Sequence, residues 1–230
     1  VFTYKNIVGG YGSADIASAL LSGPEVAADD LIVAWCGWNG TSGLTRSFYD
    51  SSSTYYGAGT NEAGPWTDAN GQFFYLPASV AIGLPTYSLS VPGATDLRII
   101  VWVYTPSSLP VFDQQIYSAN VGFGGSASVD TGALVNTGSD ELTFAGLLAM
   151  NDATPVTSMN IGGAAADGNG GFGGVITTYS WARAVAGTVN ATATLNSSQN
   201  WLANAISFKI DPPPAPPTAD KKGSLLMMWQ

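Results

Sequence analysis

Leu97-Arg-Ile-Ile-Val-Trp-Val-Tyr104 decides the fold class. Its eight residues are nearly all β-branched or aromatic, which reads as a strand, and Pro106 stops it. Leu31-Ile-Val-Ala-Trp-Cys36 is a second run of the same kind, followed by the turn-forming pair Asn39-Gly40. Leu142 to Met150 reads as a buried strand because Gly146 and the neighbouring turn residues disfavour a helix. Gly174–Trp181 and Leu202–Ile210 add two more strands. A different pattern flanks these runs. Tyr87, Leu89 and Val91 alternate with Ser88 and Ser90, predicting a half-buried strand closed by Pro92-Gly93. Val189, Ala191, Ala193 and Leu195 alternate with Asn190, Thr192 and Thr194. Shorter candidates at 2–8, 16–21, 45–49, 72–76, 114–118 and 156–161 bring the total to about a dozen. Asp15–Leu21 is the best helical segment, and it is short. The expected fold is all-β: an antiparallel, jelly-roll-like β-sandwich forming one domain over 1–211.

Composition narrows the chemistry. The chain has 230 residues, of which 7 are basic and 16 acidic, giving a formal net charge of −9. Charged residues make up 10%, against about 25% in an ordinary globular protein. There is no histidine and a single cysteine, Cys36. A histidine-free chain builds no Ser-His-Asp or Cys-His dyad and no His-ligated zinc or haem. One thiol makes no internal disulfide, and Cys36 lies in an apolar run where it serves as a small buried hydrophobe. Seven scattered basic residues form no stripe for nucleic acid. No apolar run reaches 18 residues, so no membrane-spanning helix is expected.

The chemical motifs dissolve on inspection. Gly168-Asn-Gly170-Gly-Phe-Gly173 matches a dinucleotide fingerprint, but a β-rich segment follows it where that mechanism needs a helix. Asp167-Gly-Asn169 opens like a calcium loop, yet Thr178 stands at the twelfth position instead of a bidentate Glu. The glutamates are Glu25, Glu62 and Glu141, with no paired-carboxylate strand motif. Asp29-Asp30 and Asp140-Glu141 each precede an apolar strand and read as solvated turn acids. The expectation is therefore no catalytic residue, no metal and no cofactor. Trp102, Trp181 and Trp201 read as core. Trp38, Tyr55, Tyr56 and Trp66 lie in or near loops, in part the Gly/Ser-rich loops expected over 50–71 and 162–174. Such aromatics either stack on a pyranose ring or cap a sandwich end and fill a subunit contact.

The C-terminus changes character. Asp211-Pro-Pro-Pro-Ala-Pro-Pro217 predicts an extended polyproline linker over 212–217. Residues 218–230 read as a docking arm whose tip is Leu225, Leu226, Met227, Met228 and Trp229.

Asp29-Asp-Leu-Ile-Val-Ala34, Asp140-Glu-Leu-Thr-Phe-Ala145 and the closing Ala186-Gly-Thr-Val-Asn-Ala-Thr-Ala-Thr194 with Asn200-Trp-Leu-Ala-Asn-Ala-Ile-Ser-Phe-Lys209 carry a resemblance. In each, an acidic turn introduces an apolar strand, or a Thr/Ala-rich strand precedes a Trp-containing final one. The pattern resembles β-sandwich structural proteins of tailed bacteriophages. That resemblance implies an outer virion component: a capsid decoration, head fibre or tail protein, displayed on the virion surface and acting by assembly rather than catalysis. Its implied partners are other copies of itself and a capsid or tail subunit. The alternative is a carbohydrate-binding sandwich using Trp38, Tyr55, Tyr56 and Trp66 on surface or host glycans.

Overall fold

In the computed structural model, the residues described are 1–41, 44–63, 69–79, 82–120, 125–149, 156–165, 168–172 and 177–210. They form fifteen strands, and every strand pairing is antiparallel. The strands are β1 (Phe2–Leu20), β2 (Leu31–Asn39), β3 (Ser47–Asp50), β4 (Gly57–Ala63), β5 (Ala69–Leu76), β6 (Thr86–Pro106), β7 (Pro110–Asn120) and β8 (Ser126–Val135). They continue with β9 (Glu141–Ala149), β10 (Val156–Ile161), β11 (Ala164–Ala165), β12 (Gly168–Phe172), β13 (Thr177–Ala184), β14 (Thr188–Gln199) and β15 (Trp201–Ile210). The first sheet runs β1-β6-β2-β5-β4, with β3 added on β6. The middle sheet runs β12-β13-β9-β15-β7, and the third runs β11-β10-β14-β8.

The sandwich therefore has more than two layers, and the apolar pattern explains why. Successive side chains on a strand face opposite ways. On β6, Ile100, Trp102 and Tyr104 face the middle sheet, while Leu97, Ile99, Val101 and Val103 face away from it. On β2, Leu31, Val33 and Trp35 take the first direction and Ile32, Ala34, Cys36 and Trp38 the second. The middle sheet is two-sided as well. Leu142, Phe144, Leu148, Leu202, Ile206 and Phe208 meet the first sheet. Ala145, Leu147, Trp181, Ala203 and Ala205 meet the third. Continuous apolar runs are the signature of strands covered on both faces. The alternating β14 is an outer strand, with Val189, Ala191, Ala193 and Leu195 turned inward. Each such Leu, Ile or Val contributes roughly 1.5–3 kcal/mol by leaving water.

Indole N–H groups pin the layers together. Trp35 donates to the Leu147 carbonyl at 3.3 Å and Trp102 to Ser180 Oγ at 2.9 Å, both from the first sheet to the middle one. Trp181 donates onward to the Asn160 carbonyl of the third sheet at 3.2 Å. Trp102, Trp181 and Trp201 are all buried.

The outer face of the first sheet is covered by the sheet itself. The β1–β6 ribbon creases where the register passes from Ala14↔Thr95 to Ile16↔Ser90, leaving Val91-Pro92-Gly93-Ala94 as extra residues on β6. Asp15 adopts φ +56° and its Oδ1 accepts the Gly93 N–H at 2.7 Å. The far ends of both strands then fold back, and β3 joins them as a third strand. A Cβ on Gly10 would stand 1.9 Å from the Ser18 carbonyl oxygen, and one on Gly12 equally close to that of Ile16. Only glycine admits so close a return. This flap inserts Ala17, Ala19, Phe48, Tyr87 and Leu89 against Ile32, Ala34, Ile99 and Val101.

Of the two readings of the stretch after Ala14, the strand candidate at 16–21 holds and the short helix does not: β1 runs to Leu20, where pairing with β6 overrides local propensity. One sequence expectation is corrected here. Pro92-Gly93 does not end a strand but creases a 21-residue one. The region expected as loop over 50–71 contains β4, and that over 162–174 contains β11 and β12. These are glycine- and alanine-rich edge strands with little local signal.

Candidate functional site

The loop aromatics expected to meet a sugar or a subunit take different places in the fold. Trp38 is fully buried in the flap core, with the Arg46 guanidinium 5.8 Å from its ring centre. Tyr56 is also interior, packed edge-on against Phe48, and its hydroxyl donates to Asp50 Oδ2 at 3.1 Å. Burial, then the neighbouring Tyr87 and Asp50, push that phenol far above its usual range, so it stays neutral. Both residues look loop-borne in sequence, and the fold-back covers them. Of the three that are described, Tyr55 is exposed, tilted against Tyr49 at 5.7 Å. Trp66 lies outside the described residues, as do Asp167, the 212–217 linker and Leu225, Leu226, Met227, Met228 and Trp229. Cys36 is buried, which raises its thiol pKa and keeps it inert.

The turn acids divide. Asp29 and Asp140 are exposed as expected. Asp30 is fully buried. Its carboxylate accepts from Lys5 Nζ, the Ala27 N–H and Thr105 Oγ1, each at 2.7 Å. It thereby ties the start of β2 to β1 and β6. Glu141 is buried too, and its Oε1 accepts from the Gly138 N–H. Burial raises its pKa, offset in part by the Gly138 hydrogen bond. Asp30 is thus a clamp between strands, and Glu141 closes the turn that leads into β9.

The grouping that sequence reasoning missed lies at the rim of the first sheet. Tyr11 on β1 pairs in register with Arg98 on β6, and Gly37 of β2 stands on the other side of Arg98. The Arg98 guanidinium sits 5.4 Å from the Tyr11 ring centre. It pairs with the Asp96 carboxylate and donates to the Leu97 carbonyl at 3.3 Å. Its Nε is buried with no acceptor. Asp96 holds φ +51° beside a register shift between β6 and β2. Left-handed backbone at a non-glycine residue, next to a bulge, re-aims a side chain and often marks a functional position. Tyr11, Ser13, Thr95, Asp96 and Arg98 line a hollow of about 320 Å³. The signal was available: Arg98 is the one charge inside Leu97–Tyr104, and an arginine there requires a partner. A second hollow, of about 370 Å³, is lined among the described residues by Asp29, Pro106, Ser107, Ser108 and Leu109, none of them aromatic or cationic.

The flap presents a second surface. Ile16, Ser18, Leu20, Ser47, Tyr49, Thr86, Ser88 and Ser90 alternate with its buried residues and so point outward; none is charged. Ser18 and Ser88 hydroxyls meet at 3.1 Å across this face. Ile16 and Leu20 are 50% and 67% exposed, and exposed Leu84 and Ile82 follow beside them. No protein-family model matches the sequence, and no curated protein matches it.

Proposed function

We propose that this chain is an outer virion structural protein, a capsid decoration or tail or fibre component that works by assembly. The layered β-body acts as a rigid module, and the flap face joins it to a second copy. The observation that carries this reading is the uncharged flap face with its exposed Ile16 and Leu20. Copies carrying −9 each repel one another. They meet at least cost where neither presents charge, and where apolar side chains leave water on contact. The proline-rich linker and the tip Leu225–Trp229 supply a second attachment, to a neighbouring copy or to a capsid or tail subunit.

Sedimentation velocity tests both contacts. The full chain is expected to self-associate, and Leu20→Asp to reduce it to a folded monomer of unchanged circular dichroism. Removal of 218–230 is expected to leave the body folded but unable to join its assembly. A full chain that stays monomeric at every concentration, or a truncated chain that still incorporates normally, refutes the reading.

A further inference from the structure

We infer that the hollow between Tyr11 and Arg98 is a binding site for a neutral saccharide residue. It is independent of the assembly reading, since its residues sit at the rim of the first sheet and not on the flap face.

The lining carries the chemistry. Tyr11 is 71% exposed, so most of its ring remains open beyond the part met by Arg98. An exposed phenol ring is an apolar platform for the C–H face of a pyranose. Around it stand the Ser13 and Thr95 hydroxyls, which donate or accept, the Asp96 carboxylate, which accepts, and the Arg98 guanidinium, which donates. Neighbouring sugar hydroxyls need such a mixture of donors and acceptors on one side of a ring. The volume, about 320 Å³, lies at the small end of the range for ligand pockets.

Charge selects the class of sugar. Arg98 is already paired with Asp96, so the site is close to neutral. A carboxylate or phosphate gains little from a guanidinium whose charge is met, and it is repelled by Asp96 and by a chain of net charge −9. A neutral hydroxyl-rich ligand loses nothing on that account. The lining is also preorganised. Arg98 is 7% exposed and Asp96 9%, and both are fixed by the ion pair before any ligand arrives.

Saturation-transfer NMR on the full chain tests this with methyl glucoside, galactoside and mannoside and with N-acetylglucosamine. Glucuronate and inorganic phosphate serve as anionic controls. At least one neutral sugar is expected to receive saturation with millimolar affinity. Tyr11→Ala is expected to weaken it about tenfold or more, while Tyr11→Phe, which keeps the ring, stays within about twofold. Tyr11 is mostly exposed, so its removal leaves the fold intact, as the thermal melt will report. Asp96→Asn weakens the same sugar. No transfer from any neutral sugar, an undiminished signal in Tyr11→Ala, or tighter binding of glucuronate or phosphate each overturns the proposal. Self-association is unchanged by Tyr11→Ala, which separates this site from the flap contact.

Discussion

Replacing Gly146 by alanine tests the packing between the first and middle sheets. The added Cβ would lie 2.1 Å from Trp35 Cδ2 and 2.5 Å from Cε2 and Cε3. Carbon atoms in contact sit about 3.5–4.0 Å apart. The indole has nowhere to withdraw, because a Cβ on Gly71 would already stand 2.4 Å from its Cη2. Phe73 packs on the ring at 4.8 Å, and the Trp35 N–H is committed to Leu147. With both sides blocked, the cost falls at the upper end for overpacking, about 3 kcal/mol. For a domain of this size that lowers Tm by roughly 6–12 °C. Trp35→Phe alone leaves a void and costs about 2 kcal/mol. In the double variant the smaller ring makes room for the new methyl. The two losses then sum to less than their separate values by about 1 kcal/mol or more. Urea unfolding followed by circular dichroism gives all four corners of the cycle. A Gly146→Ala chain within about 0.5 kcal/mol of wild type, or a strictly additive pair, refutes the wedge.

Asp30→Ala strands three donors around a buried position and should cost about 3–5 kcal/mol in urea unfolding; Asp30→Asn, which keeps an acceptor, should cost less. Glu141 has a raised folded pKa, so it favours the protonated state. Its contribution is fullest below the ordinary carboxylate pKa and declines as pH rises through the folded value. Glu141→Gln should therefore be more stable than wild type at about pH 7, with a margin that shrinks towards about pH 4; a margin constant with pH contradicts this. Gly10→Ala should lift the flap and wet Trp38, giving a red-shifted tryptophan emission and new protease cleavage in 13–21, while an unchanged spectrum argues against the crease.

The number of layers was written in the pattern of particular strands. Leu31–Cys36, Leu97–Tyr104, Leu142–Ala149 and Leu202–Phe208 are apolar at both odd and even positions, which a two-layer sandwich with one wet face does not require. β14 alternates and is outer. Topology was not legible, because the flap depends on Gly10 meeting Ser18 and Gly12 meeting Ile16, contacts that no local propensity encodes. The short edge strands β4 and β12 were missed for a related reason. Gly57-Ala-Gly-Thr60 and Gly168-Asn-Gly-Gly171 take their extended form from the neighbouring strand, not from their own side chains.

The same non-local step covers two of the expected aromatics. Sequence places Trp38 and Tyr56 near turns, where exposure is the natural reading, and the folded-back ribbon turns that neighbourhood into core. The ribbon does the opposite for Tyr11. It lies between the strand candidates at 2–8 and 16–21, and pairing with β6 sets it beside Arg98. The crease thus places the two surfaces together in the chain: β1 leaves the Tyr11 hollow, bends at Asp15, and within five residues forms the flap face with Ile16 and Leu20. A Gly12 substitution that opens the crease should then weaken self-association and sugar binding together, whereas Leu20→Asp and Tyr11→Ala should each remove one and spare the other. If Gly12→Ala spares both, the crease does not position either surface.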